Sequence, residues 1–408
     1  MLIFISATIL SPGKPMARPR VLPVSVVIMI IYAKGHGKSI QSILAGANLN
    51  RSEGKKMARK QDNLYVRGHK TAPSKVRMEC VRSVFRSKKL PALSRGASFK
   101  NHFQEKINKT VIVSGYICNN HCKFCNNSGK RVIGDRNTSE IIQAIIGAKE
   151  GGASYLEIIG GEPTIRKDIF DIVSFANKLK FNTISITTNG RMFSYKKFAS
   201  KIIKCGLNSL VFSIHGHNSL LHDSLTQSNG SFKQLLSGLD NLRDIGFNNL
   251  GSNTTIVKTN YRYLPEIGGF IYKLGIRNSE FIFVDPTYGG AHDNFLKLVP
   301  RISKAAPFIR KCLDIGRQKN VSHWHARYVP LCHFVGYEDQ ISEIYEKSVF
   351  KTQHIAADFI NLNVEASRMK VGRIKTDRCR GCIKFSACEG IWREYFSRFG
   401  DSELTPIT

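Results

Sequence analysis

Tyr116-Ile117-Cys118-Asn119-Asn120-His121-Cys122-Lys123-Phe124-Cys125 holds three cysteines at the spacing C-x3-C-x2-C. So close a spacing draws three thiolates into a crescent that fits one face of a cubane iron–sulfur cluster, and no fourth cysteine is near enough to close the ligand set. One iron is then left open. A pure electron carrier is usually ligated throughout by protein, so an open iron suits a cluster that binds a substrate. A structural zinc loop and a disulfide are the competing readings. The chain has ten cysteines in 408 residues, grouped as C-x3-C-x2-C and C-x2-C-x5-C, which suits metal or cluster ligands in a reducing cytoplasm better than a disulfide framework.

Outward from this loop, short β-branched runs alternate with amphipathic stretches, the mark of parallel βα units. Residues 110–114 read as the first strand, with the cysteine loop at its C-terminal end. Further strands follow at 155–159, 183–188, 209–214, 253–257 and 280–284. Helices read at 139–149, capped by Thr138 or Ser139, and at 168–179, 195–205, 232–245 and 263–274. Six such units imply an α/β barrel, whose active site belongs at the C-terminal ends of its strands.

The candidate motifs lie at those ends. Gly160-Gly161-Glu162-Pro163-Thr164 follows the second strand; its glycines free the backbone for close approach, and its carboxylate can accept from an ammonium group. Thr187-Thr188-Asn189-Gly190 ends the third strand and Ser213-Ile214-His215-Gly216 the fourth. His215 and His217 read as spectators or substrate contacts before metal ligands. Phe124 and Ile256 are apolar positions that suit either a packed base or ordinary core.

The cysteine spacing, with aromatic Phe124 just before the last cysteine, resembles the signature of the radical SAM superfamily. The resemblance implies a partial (β/α)6 TIM-type barrel, open on one side. It implies a [4Fe-4S] cluster on Cys118, Cys122 and Cys125 whose open iron binds S-adenosylmethionine (SAM). Reductive cleavage of SAM to a 5′-deoxyadenosyl radical and hydrogen abstraction from substrate would follow, with a reductant such as flavodoxin or ferredoxin. It also implies roles in SAM binding: Gly160, Gly161, Glu162 and Pro163 at the methionyl amine, Asn189 and Ser213 at the ribose and carboxylate, and Phe124 and Ile256 at the adenine.

Beyond residue 290 the alternation fades and a second set appears, Cys332 with Cys379-x2-Cys382-x5-Cys388. It resembles part of the SPASM and twitch extensions, which hold auxiliary clusters. It departs from the full SPASM pattern where Trp392 stands four positions after Cys388. Four cysteines suffice for one auxiliary iron–sulfur cluster, with tetrahedral zinc as the alternative. Such an extension favours a peptide substrate, ahead of cofactor or small-metabolite biosynthesis. Cys80, Cys205 and Cys312 read as buried apolar residues.

The net charge of +31 invites a nucleic-acid reading, but residues 1–110 carry 22 Lys and Arg against 4 Asp and Glu. The excess thus concentrates in a polar leader at 1–105, read as a poorly structured arm or as sequence upstream of the true start. The domains expected are this leader, the barrel at 106–290 and the auxiliary region at 291–408. The apolar run at 21–33 is too short to span a bilayer, and Gly37-Lys38-Ser39 lacks the first glycine of a phosphate-binding loop. The contrasting class is a zinc protein that binds nucleic acid through the leader.

Overall fold

Ile169, Ile172, Val173 and Ala176 recur at helical spacing and form the buried face of the helix Ile169–Lys178. Similar stripes recur throughout the computed structural model, which describes residues 106–408. The basic leader lies outside the described residues. The helices of this layer are α1 (Thr138–Glu150), α2 (Ile169–Lys178), α3 (Lys196–Lys204), α4 (Ser219–Thr226), α5 (Ser231–Asp244) and α6 (Leu264–Lys273). They cover β1 (Ile107–Val113), β2 (Tyr155–Ile159), β3 (Thr183–Thr188), β4 (Ser209–Ser213), β5 (Leu250–Ile256) and β6 (Asn278–Phe283). Each fully buried Ile or Leu at this interface contributes about 1.5–3 kcal/mol.

Alternation along the strands separates two environments. Ile112, Leu156, Ile158, Ile184 and Ile186 are buried in one apolar cluster. On the other face Lys109 Nζ meets Glu157 at 2.6 Å, and Thr187 Oγ1 donates to the same carboxylate at 2.7 Å. A charged pair between neighbouring parallel strands fits a face turned away from the helices, because an unpaired charge there would cost several kcal/mol.

The sheet is larger than the sequence reading, which stopped at six strands. Its order is β7-β6-β5-β4-β3-β2-β1-β8-β9, with β7 (His323–Arg327) and β8 (Phe350–Ile355) parallel to the rest and β9 (Ile360–Asn361) antiparallel to β8. Segment 291–408 therefore extends both edges of the barrel sheet, which remains open between β7 and β9. His-Trp-His-Ala-Arg and Phe-Lys-Thr-Gln-His-Ile lack the β-branched runs of the first six strands, so propensity alone misses them. Two local corrections follow. Asn137, not Thr138 or Ser139, caps α1, its side chain accepting from the Glu140 amide at 2.9 Å. A separate helix, α4, stands before α5, capped by Asn218. No helix among the described residues is long and apolar enough to cross a membrane.

Candidate active site

The cysteine loop leaves β1 and is held by its neighbours' backbones. His121 N donates to Thr226 O at 2.9 Å and Lys123 N to Leu225 O at 3.0 Å, so the loop closes the C-terminal end of α4. Gly290 N donates to Cys125 O at 2.9 Å from the far side. Burial pushes the Cys118 thiol up to about 11 and Cys122 to about 12, the neighbouring thiols adding to the rise at each, and it raises Cys125 as well. Thiols that resist ionisation by themselves release protons on loading with a cation. The Asn120 amide donates to Cys118 Sγ at 3.3 Å, which favours the thiolate.

The Gly-Gly-Glu-Pro loop lies directly against this one. Gly161 N donates to Gly115 O at 2.9 Å and Glu162 N to Ile117 O at 2.8 Å. A Cβ on Gly161 would stand 2.1 Å from Ile117 O, and one on Gly160, whose φ is +147°, 2.4 Å from Gly115 O. The glycines are thus required for contact between the two loops. Gly161→Ala is expected to cost roughly 1–3 kcal/mol by overpacking. Thermal unfolding would show it as a lower Tm, together with weaker iron retention as the cysteine loop is pushed aside; an unchanged Tm would contradict the loop contact.

Glu162 is buried, and its carboxylate accepts four bonds: from Thr164 N at 3.1 Å, Thr164 Oγ1 at 2.6 Å, Thr188 Oγ1 at 2.7 Å and Asn189 N at 2.6 Å. Burial raises its pKa and these bonds pull it back down. The carboxylate therefore ties the end of β2 to the end of β3. Asn189 extends the tie, donating from Nδ2 to Asn119 Oδ1 at 2.7 Å beside Cys118 Sγ at 4.0 Å. Pro163 is buried next to Glu162, Ser213 ends β4 half-buried, and Ile256 is wholly buried at the end of β5. Phe124 is buried edge-on to His215, with ring centroids 4.7 Å apart.

His215 and His222 are neutral. His215 Nδ1 accepts from Thr255 N at 3.2 Å, and His222 Nδ1 accepts from His215 N at 3.3 Å, which puts each ring proton on Nε2. Burial depresses His215 to about 3 and His222 to about 4, each imidazole lying below its ordinary value of 6.5. The unfolded chain binds more protons between those values, so this stability is present above pH 6.5 and is lost as pH falls towards 4 and 3. Each histidine is expected to cost up to about 1.4 kcal/mol per pH unit across its window. Denaturant midpoints at pH 7 and pH 5 should converge in His222→Phe relative to the unaltered protein; equal pH slopes would refute the assignment.

The second cysteine set is brought together. Cys332, Cys379, Cys382 and Cys388 line one recess with Pro330, Leu404 and Thr405. Backbone amides point at its sulfurs: Leu331 N and Gly390 N donate to Cys388 Sγ at 3.4 and 3.3 Å, and Ile407 N to Cys382 Sγ at 3.4 Å. Such N–H···S bonds stabilise thiolate ligands. Among the described residues no three His, Cys, Asp or Glu side chains close to the spacing of one metal ion's ligands. Trp392, at the departure from the SPASM pattern, is buried with its ring edge-on to Tyr328 at 4.7 Å. Cys312 is fully buried as expected, and Cys205 partly; Cys80 lies outside the described residues.

Sequence reading missed the groups that brace the cysteine loop. Arg131 donates to the carbonyls of Cys118 and Asn120, and Arg191 to Asn119 O and Asn120 Oδ1. Tyr116 OH donates to Asp358, which Lys130 also meets at 2.7 Å. No spacing rule links these positions in sequence.

Residues 112–270 match the family model described as Radical SAM superfamily. That stretch runs from β1 into α6 and takes in both contacting loops, so the chain carries a radical SAM domain, of the class that uses a [4Fe-4S] cluster and SAM. The GTP 3',8-cyclase of Vibrio vulnificus (strain YJ016) is 26% identical over 206 residues, 49% of this chain and 60% of that protein. A probable GTP 3',8-cyclase of Saccharolobus islandicus (strain M.14.25 / Kamchatka #1) is 25% identical over 237 residues, 56% of this chain and 73% of that one. The chain spans 60% of the length of the Vibrio relative. Among solved structures, Streptococcus suis SuiB bound to S-adenosylmethionine aligns with a TM-score of 0.53 at 17% identity, over 74% of this chain and 77% of that chain. Native anSMEcpe with bound AdoMet and Cp18Cys peptide aligns with a TM-score of 0.50 at 14% identity, over 73% and 92%. At these identities the likeness is one of fold.

Proposed function

We propose that this protein cleaves SAM reductively at a [4Fe-4S] cluster held by Cys118, Cys122 and Cys125 and acts on a peptide. The observation that carries the reading is the direct pairing of the cysteine loop with Gly161 and Glu162, which joins the two motifs into one surface at the strand ends. When bound, the cluster and SAM supply a one-electron cleavage that yields a hydrogen-abstracting species. The chain's own residues orient and shield it: Asn189 fixes Asn119 beside Cys118, Glu162 fixes Asn189, and buried Phe124 and His215 keep water from the loop's inner side.

Cys332, Cys379, Cys382 and Cys388 are assigned to one auxiliary cluster, with the amide-to-sulfur bonds as support. A peptide substrate is supported by that set and by fold neighbours whose structures include the precursor peptide SuiA and Cp18Cys. The second reading, cofactor biosynthesis, rests on the GTP 3',8-cyclase relatives. An acidic flavodoxin or ferredoxin is the proposed reductant, and a reducing cytoplasm the proposed compartment. Anaerobic reconstitution should give a brown protein with iron and sulfide that forms 5′-deoxyadenosine from SAM and dithionite. Stoichiometric zinc without sulfide would overturn the reading, and stimulation by GTP but not by peptides would select the second.

A further inference from the structure

Resting on that reading, we propose that Arg131 and Arg191 are positioning residues for the first cluster: two guanidinium groups that grip the cysteine loop from both flanks and supply the positive charge the loaded loop needs. Arg131 reaches back from the turn after the loop, its Nη1 3.5 Å from Cys118 O and its Nη2 donating to Asn120 O. Arg191, just past β3, donates to Asn119 O, to Asn120 Oδ1 at 3.0 Å and to Gln234 Oε1 at 2.6 Å. Between them the two forks hold three consecutive residues, 118 to 120.

Their charge is the unusual part. Every partner these two side chains have among the described residues is a carbonyl or amide oxygen, none a carboxylate. A partly buried guanidinium without an ion-pair partner is costly unless negative charge arrives later. The loop has such charge to receive. Three thiolates outweigh the 2+ core of an oxidised cubane by one negative charge, and reduction adds another. Two cations at this loop therefore stabilise the reduced cluster over the oxidised one, which raises its potential towards the reach of a biological reductant.

The test compares Arg131→Gln and Arg191→Gln with the matching Lys variants in the reconstituted full chain. Potentiometric titration would follow the reduced-cluster EPR signal that SAM perturbs, which reports the first cluster apart from any second. The Gln variants should shift its midpoint to more negative values, while the Lys variants, which keep the charge but lose the fork, should stay near the unaltered protein and lose iron faster to a chelator. Wild-type midpoints in both Gln variants would overturn the proposal, as would Lys variants that shift as far as Gln. Should a Gln variant fail to fold, its Lys counterpart decides alone: a retained midpoint with faster iron loss supports the proposal, and a shifted midpoint refutes it. Failure of the radical SAM reading would look different, since the unaltered protein would then hold no iron and sulfide.

Discussion

Substituting Ala for Cys118, Cys122 or Cys125 is expected to abolish formation of 5′-deoxyadenosine from SAM. The three thiols sit on one loop anchored by backbone bonds and by polar side chains such as Arg131 and Arg191, and no other cysteine among those assigned to ligands lies in its segment. Two thiolates leave a second iron open and solvated, and a cubane held that way is lost to oxidation or chelation. The barrel itself should persist, because the loop's cysteines are only partly buried and, although Cys122 packs against the core, the helices are held to the sheet by fully buried Ile and Leu. Far-UV circular dichroism and Tm are thus expected to change little while cleavage falls to background. Wild-type 5′-deoxyadenosine yield from any one of the three variants would sink the assignment.

Cys382→Ala separates the two cysteine sets. Its sulfur lies in the recess with Cys332, Cys379 and Cys388, formed by residues distant in sequence from the first loop. Iron content should fall by about four atoms per chain, the content of one cubane, while SAM is still cleaved. Turnover of the true substrate should fail, since the second cluster would either anchor that substrate or accept the electron left after hydrogen is removed. Loss of zinc with unchanged iron would make the second site a zinc site, and full product formation by the variant would remove its role.

Both experiments rest on motifs that are legible in sequence because their chemistry is local. Three thiolates at C-x3-C-x2-C need only a short loop to converge, and a Gly-Gly turn after a β-branched run needs only one strand and one bend. The first six strands were legible for a similar reason: buried parallel strands are dense in Val, Ile and Thr, and the helices between them repeat their apolar face every turn. β7 and β8 escaped notice since His, Arg, Lys and Gln interrupt that density, and their place at the two edges of the sheet comes from pairing with β6 and β1.

What the amino-acid order determined by itself, then, is that the cysteine and Gly-Gly-Glu-Pro motifs stand at the C-terminal ends of parallel strands. Tertiary structure alone decided their surroundings. Glu162, expected from the sequence to accept from an amine, accepts four bonds from Thr164, Thr188 and Asn189, three of them at Oε1 and one at Oε2. Cys332 joins three cysteines more than 40 positions away, and Arg131 and Arg191, 60 positions apart, meet at Asn120. Long-range contacts of this kind depend on how strands register and loops touch. Hydrophobic periodicity reports which face of an element is buried, but not what a polar side chain meets once it arrives there.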